Sequence, residues 1–296
     1  TGSCGKTSCK EMLVAILQRS RKVLATQGNL NNEIGVPLTL LGIGASHELA
    51  IVEMGAAKPG DIAYLCEFAR PDVALITNAA PAHLEGFGSV QAVADTKGEI
   101  YQALQPAGTA VINADDRFAD QWRSSTAAQR VLSVSRLSSE SDFFASDIRV
   151  TESGTGFQLH SPEGTAEITL SVLGLGMVSN ALMAAAAAWA LDASMKDIVE
   201  GLASVKAVKG RLHLQALPHL NLVDDSYNAN PASVMAAIDV LKAFRGRRIL
   251  ILGDMAELGE ATESLHREVG AYAAQQGIDR VLTCGSASEF AARAAG

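Results

Sequence analysis

Thr1-Gly2-Ser3-Cys4-Gly5-Lys6-Thr7 opens the chain, and helical spacing begins at once, with Met12, Leu13, Ile16 and Leu17 recurring along Lys6–Arg19. A glycine-rich turn that runs into a helix offers backbone N–H groups and the positive helix end to an anion. Lys6 adds a charge for outer phosphates, and the Thr7 hydroxyl is a ligand type for Mg²⁺. The complete phosphate-loop pattern carries one more glycine, five residues before Gly5 and so ahead of Thr1. The competing reading is a surface Gly-Lys-Thr turn. A run of matching residues followed directly by a helix favours ATP-Mg²⁺ binding through Gly2, Ser3, Cys4, Gly5, Lys6 and Thr7. Cys4 reads as a tolerated loop residue, and its alkylation is expected to block ATP.

Working outward, strand-like and helix-like segments alternate, the pattern of a parallel α/β sheet. Strands are expected at Val23–Thr26, Glu48–Glu53, Asp72–Thr77 and Gly108–Asn113, with a helix at Val90–Leu104. Phe143–Leu173 alternates with Gly and Pro breaks and predicts antiparallel strands. Helices follow at Met177–Leu191 and Met195–Leu202. A second α/β pattern begins near Leu214, with strands at Asn221–Asp225, Arg248–Gly253 and Arg280–Cys284 and helices at Pro231–Phe244 and Glu260–Gln276. Val205–His213 reads as a hinge. The expected architecture is therefore α/β: a P-loop ATPase domain with a mostly parallel sheet over residues 1–213, then a smaller Rossmann-like α/β domain over 214–296.

Bulk properties narrow the class. Of 296 residues, 48% are hydrophobic and 19% charged, enough for a sizeable core. The net charge of −8 argues against a nucleic-acid binder built on a broad basic surface, but a local loop and a metal can still handle phosphate. The four cysteines, at 4, 9, 66 and 284, match no zinc spacing and predict reduced thiols and a cytoplasmic protein. The alanine-rich run Ala181–Ala190 is too short to span a bilayer and reads as a buried helix, so no membrane insertion is expected.

Other residues can carry chemistry. Glu53 ends an apolar strand, where ligands of open parallel sheets collect, and a carboxylate there suits a hard cation. A solvent-facing strand-end acid is the equal alternative. His83 follows the next strand by a few residues, although a lone histidine is usually structural. Lys97 lies on the following helix and, on the residues alone, is an ordinary exposed lysine. His266 reads as structural, and Asp115-Asp116 as a turn.

Four stretches together resemble the Mur ligases, ATP-dependent amide-forming enzymes of peptidoglycan precursor synthesis. They are Thr1–Thr7; Gly28-Asn29-Leu30-Asn31-Asn32-Glu33-Ile34-Gly35-Val36-Pro37-Leu38-Thr39-Leu40; Asp224-Asp225-Ser226-Tyr227-Asn228-Ala229-Asn230-Pro231; and Leu252-Gly253-Asp254-Met255-Ala256-Glu257-Leu258-Gly259. The first is shared by the whole family and by folylpolyglutamate synthases. The second and third look specific to the branch that adds D-alanyl-D-alanine to UDP-N-acetylmuramoyl-tripeptide (UDP-MurNAc-tripeptide).

The resemblance implies roles for the weaker candidates. Glu53 and Thr7 would hold one Mg²⁺, and His83 would support a second. Lys97 matches the lysine that many members carbamylate, which turns a cation into a metal-binding anion. Lys6, Lys97 and His83 would then form the catalytic set. Asn180, Arg211 and Asp225 are the counterparts of the adenine site. Many members read Gly-Arg-His-Asn before that asparagine, whereas this chain reads Gly174-Leu175-Gly176-Met177, so contacts of the His-Asn pair are absent. Asn29, Asn31 and Asn32 suit the peptide end of the substrate, because amides both donate and accept; a solvated Gly-Asn turn is the plainer reading. Asn228 and Asn230 would approach the dipeptide or the phosphates, or cap the helix that starts at Pro231. Mur ligases have three domains, so the resemblance also predicts that the sugar-gripping first domain lies outside this chain, that the last domain is truncated at Gly296, and that the protein is a monomer. The remaining alternatives are a sibling ligase (the tripeptide-forming Mur ligase or folylpolyglutamate synthase) and a nucleotide-binding protein without catalysis.

Overall fold

A computed structural model describes residues 1–296. In chain order its first part comprises α1 (Lys6–Leu17), β1 (Val23–Ala25), α2 (Gly35–Leu41), β2 (Leu49–Ile51), α3 (Asp61–Ala69), β3 (Val73–Ile76), α4 (Leu84–Phe87), α5 (Val90–Gln102), β4 (Thr109–Asn113), α6 (Ala119–Ser125), β5 (Arg130–Ser135), β6 (Phe143–Thr151), β7 (Gly154–Ser161), β8 (Gly164–Leu170), α7 (Leu175–Ala190) and α8 (Met195–Ser204). A second part follows with β9 (His213–Leu217), β10 (Leu220–Asp224), α9 (Pro231–Lys242), β11 (Ile249–Gly253), α10 (Thr262–Gln275), β12 (Arg280–Cys284) and α11 (Ser288–Ala295).

The central sheet has the order β3-β4-β5-β6-β7-β8, parallel from β3 to β6 and antiparallel from β6 to β8. Burial explains the change. Every residue of β4 is buried, as a parallel strand covered on both faces requires. Exposure alternates along the outer half of β6 and in β8, as in antiparallel strands with one wet face. One face of the sheet packs Val111, Leu132 and Val134 against α1, α7 and α8. The other packs Ala74, Ile76, Ala110 and Ile112 against α3, α5 and α6. The result is a three-layer α/β/α unit. β1 and β2 form a separate parallel pair.

The small side chains of α7 let it lie deep in the molecule, and Ala181–Ala188 is fully buried between α1 and the sheet. The second part holds an antiparallel hairpin, β9-β10, and a parallel pair, β11-β12. Its own core centres on Ile238, Leu252, Val269 and Ala273. A small cluster of Leu173, Leu212, Val240 and Phe244 joins the two parts.

Several elements depart from the sequence reading. Gly35–Leu41, for which no element was expected, is a helix, with Pro37 near its start where a missing N–H is harmless. β9 occupies the end of the expected hinge, because the second part opens with a hairpin before its parallel strands. β10 ends at Asp224, so Asp225 lies beyond the strand rather than inside it. α3, α6, α11 and β5 carried no expectation, being short and only partly periodic.

Gly201 shows how tightly the layers meet. A Cβ there would sit 2.5 Å from the Ile16 Cα and 2.8 Å from the Ala15 carbonyl oxygen. Helix propensity favours alanine over glycine by about 1 kcal/mol. Both obstacles are backbone, so α8 would have to move off α1, an overpacking penalty of about 1–3 kcal/mol on top of that gain. Gly201→Ala is expected to lower the urea midpoint, with little change in the slope of the transition.

Candidate active site

The parallel strands converge on one end of the sheet, and the phosphate loop is held there. Asn78, just past β3, clamps it: its carbonyl accepts from the Ser3 N–H (2.9 Å), its Oδ1 accepts from the Cys4 N–H (3.0 Å), and its Nδ2 donates to the Cys4 carbonyl (3.1 Å). Asn113, at the end of β4, donates to the Thr77 carbonyl at 2.8 Å and so fixes the clamp. Gly5 has φ 82°, and a Cβ on it would meet the Asn180 carboxamide at 2.6 Å, so glycine is required both by conformation and by space. The N–H groups of Ser3 and Cys4 are thus already used. Those of Gly5, Lys6 and Thr7 bond to no protein acceptor and remain for an anion.

A cleft of about 510 Å³ lies beside this loop. Every residue singled out from the sequence lines it: Gly2 to Thr7, Asn29, Asn31, Asn32, Glu53, His83, Lys97, Asn180, Arg211, Asp225, Asn228 and Asn230. They come from both parts of the molecule, up to 228 residues apart in the chain.

Charge in the cleft is poorly compensated. Lys6 donates to the Gly2 carbonyl at 2.9 Å, and burial lowers its pKa, partly offset by Glu53. Lys97 is 2% exposed and takes part in no ion pair. Burial, and then the neighbouring Lys6, brings its pKa down to about 7, so a large fraction of the amine is neutral near neutrality. Glu53 is 5% exposed. Its Oε1 accepts from the Asn31 carboxamide at 2.7 Å, and its Oε2 is buried without any partner. A buried carboxylate oxygen left bare is costly unless a cation completes it. The bare oxygen and the Thr7 hydroxyl together fit a hard divalent ion.

The other candidates are placed less simply. His83 adopts a left-handed conformation (φ 53°), and its Nδ1 is engaged by the Glu257 carboxylate from the second part, which leaves only Nε2 facing other groups. The Glu257 carbonyl also accepts from the Glu85 N–H at 3.2 Å. Asn32 uses its Oδ1 to accept from the Gly35 N–H (2.9 Å) at the start of α2. Asn230 caps α9 reciprocally with Ser233, and its Nδ2 donates to the Cys4 Sγ at 3.2 Å, tying the phosphate loop to the second part. Asn228 accepts only from the adjacent Ala229 N–H. These asparagines therefore have structural work, whatever else they bind. His266 is wholly buried, with Nδ1 against the Thr262 carbonyl and Nε2 accepting from the Met255 N–H, and stands outside the cleft. Asp115 and Asp116 bond to Ser135, Arg136, Ala79 and Phe118 around their turn.

Beside Gly5, Asn180 sits buried on α7 and donates to the Met177 Sδ at 3.8 Å. The Arg211 guanidinium lies over the Tyr227 ring, 4.3 Å from its centroid. Tyr227 was missed in the sequence, where nothing local marks it as a platform. Asp225 accepts from the Leu212 N–H at 3.0 Å, and burial raises its pKa to about 6, against the pull of that bond and of Arg211.

The comparisons with known proteins agree along the whole chain. Residues 1–188 match the Mur ligase middle domain, and residues 210–296 match the Mur ligase glutamate ligase domain. The UDP-N-acetylmuramoyl-tripeptide–D-alanyl-D-alanine ligase of Escherichia coli (strain K12) is 46% identical over 297 residues, covering 100% of this chain and 66% of that enzyme. The Bacillus subtilis enzyme of the same name is 35% identical, covering 100% of this chain and 64% of the relative. The chain thus spans about two thirds of the length of these relatives. Among solved structures, MurF from Acinetobacter baumannii superposes with a TM-score of 0.95 at 36% identity, covering 99% of this chain and 64% of that one. MurF ligase from Thermotoga maritima in complex with ADP gives 0.89 at 31% identity, covering 98% and 66%.

The raised pKa of Asp225 makes a prediction with a definite sign. Between its ordinary value near 4 and its folded value of about 6, the folded chain keeps a proton that the unfolded chain has released. Stability contributed by this group is therefore lost as pH rises through that window. Asp225→Asn keeps the acceptor for Leu212 and removes the proton. Its melting temperature should fall less than the parent's between pH 4 and pH 6, and parallel curves would refute the assignment.

Proposed function

The chain belongs to the Mur ligase family, and on that premise we propose that it carries the ATP-binding and ligase parts of the enzyme that joins D-alanyl-D-alanine to UDP-MurNAc-tripeptide. The observation that carries this reading is the meeting of Lys6, Lys97 and the bare Glu53 oxygen in one buried cleft beneath an anchored phosphate loop. Similarity to enzymes of that name along the entire chain supports the choice of substrates.

In the proposed reaction a terminal carboxylate oxygen of the tripeptide attacks the γ-phosphorus of ATP. The bond to ADP breaks and an acyl phosphate forms. The free amine of D-alanyl-D-alanine attacks the acyl carbon, phosphate leaves, and the nitrogen loses a proton as the amide forms. Two anions must approach each other, so the demand on the chain is charge control and positioning. Lys6 and the free N–H groups of Gly5, Lys6 and Thr7 cradle the outer phosphates. Mg²⁺ would be held by Thr7 and Glu53, with Lys97 and the free nitrogen of His83 towards a second ion, and would supply charge neutralisation at the transferring phosphoryl group. Asn180, Arg211, Tyr227 and Asp225 surround the adenine end. Asn29 and Asn228, the asparagines with fewest internal bonds, face the peptide substrates.

We read residues 1–213 as the central ATP-binding domain and 214–296 as the C-terminal ligase domain. The links Cys4–Asn230 and His83–Glu257 hold the two closed over the cleft, excluding water that would hydrolyse the acyl phosphate. No helix is long and apolar enough to cross a membrane. The four free cysteines and a nucleotide-linked substrate suit the bacterial cytoplasm.

Lys97 is suited to carbamylation. A neutral lysine nitrogen attacks the carbon of CO₂ and gives up a proton, and the resulting anion answers the positive charge of the neighbouring Lys6. The test is phosphate release from the full enzyme with ATP, Mg²⁺ and UDP-MurNAc-tripeptide. Turnover is expected with D-alanyl-D-alanine and not with glutamate, and release with neither would sink the ligase reading. Lys97→Ala should lose about 10²-fold or more in kcat, the size typical of an electrostatic group in the site. Short-chain carboxylic acids should restore part of the loss, and undiminished activity in that variant would reject the carbamate.

A further inference from the structure

Glu53 lies two residues past the end of β2, outside the regular ladder, yet its side chain is fixed. Its own N–H donates to the Thr26 Oγ1 at 2.9 Å, and the Thr26 N–H continues the strand pairing to the Ile51 carbonyl at 3.0 Å. Those bonds set the backbone but leave the carboxylate free to rotate. The Asn31 Nδ2, donating to Oε1 at 2.7 Å, removes that freedom and leaves Oε2 as the bare oxygen.

Asn31 is itself held on both sides. Its N–H donates to the Asn29 carbonyl at 2.7 Å, and its carbonyl accepts from the Gly55 N–H, also at 2.7 Å. The segment carrying Asn31 and the segment from Glu53 to Gly55 are thereby locked together. Gly55 leaves room for the carboxamide, since a Cβ there would stand 3.0 Å from the Asn31 Oδ1 and 3.3 Å from its Cγ. Gly55 does not have a positive φ, so this space and not the backbone conformation is what glycine provides. The donor type also matters. An amide orients a carboxylate without neutralising it, whereas a lysine or arginine at position 31 would cancel the charge a cation needs.

We infer that Asn31 is a positioning residue for the Glu53 carboxylate, aiming Oε2 at a divalent cation, and is not primarily a reader of the peptide substrate. The inference rests on the proposed role of Glu53 as a metal ligand. Partners that orient metal ligands are worth about 10–100-fold in metal affinity. The asparagine-rich loop then has divided duties: Asn31 serves the metal, Asn32 the start of α2, and Asn29 is left for substrate.

The experiment is a Mn²⁺ titration of the full chain saturated with ADP, read by the electron paramagnetic resonance signal of free Mn²⁺. Asn31→Ala should weaken Mn²⁺ binding about tenfold or more, with ADP affinity in the absence of metal unchanged. Gly55→Ala keeps every polar group and only presses on the carboxamide, so it should weaken Mn²⁺ binding in the same direction to a smaller extent. It provides a second reading should Asn31→Ala fold poorly. Glu53→Gln is the reference and should weaken binding most. Titrations of Asn31→Ala and Gly55→Ala that superpose on the parent, with Glu53→Gln weakened, would overturn the positioning role and leave the ligand intact. A rise in KM for the tripeptide substrate with unaltered Mn²⁺ binding would overturn it in favour of substrate recognition. Parent-like binding by Glu53→Gln would instead remove the metal reading on which the inference stands.

Discussion

Burying a charge is unfavourable unless a partner replaces the water it loses, and this chain gathers Lys6, Lys97 and Glu53 in one cleft with no ion pair among them. Lys6 and Lys97 sit in the same cleft with their ammonium groups desolvated, and Glu53 keeps one oxygen bare. An isolated fold would gain from neutralising or exposing these groups. Their retention is intelligible if phosphates and divalent cations complete the site. The depressed pKa of Lys97, the free amides at the start of α1 and the unpaired carboxylate oxygen all express that one constraint.

The fold supplies the means of holding such a site. Parallel strands of the central sheet deliver Thr77-Asn78 and Asn113 to one end, the separate β1-β2 pair delivers Glu53, and the Asn78 side chain ties the sheet to the phosphate loop while Asn113 holds Thr77. The buried alanine face of α7 allows close packing with α1, which places Asn180 against Gly5. The second part contributes Asp225, Tyr227, Asn230 and Glu257, each beyond a strand end or at a helix start. Closure between the two parts rests on a few polar links and one small apolar cluster rather than on a broad core, which suits parts that must separate for substrate to enter.

Much of this was legible in the sequence because it depends on neighbours along the chain. The phosphate loop, the alternation of strands and helices, and the buried alanine helix are all local patterns. Glu53 could be picked out by its place at a strand end, but its orientation could not, since Asn31 lies 22 residues away. The same limit explains His83: its partner Glu257 is 174 residues distant, and no spacing rule connects them. Asn230 was read either for substrate or as the cap of the helix at Pro231, and the folded chain uses it as that cap, whereas Asn32, read for substrate, spends its Oδ1 on the Gly35 N–H at the start of α2. Elements without strong periodicity, such as β9 and α3, emerged only from pairing with distant strands and helices.

The central claim is that the bare oxygen of Glu53 and the hydroxyl of Thr7 share a cation beside nucleotide phosphate. The most direct measurement is a crystal structure of the protein with Mn²⁺ and a non-hydrolysable ATP analogue, with data collected at the manganese absorption edge. The account predicts an anomalous peak bridging Glu53 Oε2, Thr7 Oγ1 and the outer phosphates, with Asn31 still bonded to Oε1. Nucleotide bound at the loop with the metal elsewhere, and Glu53 turned away from it, would contradict the account.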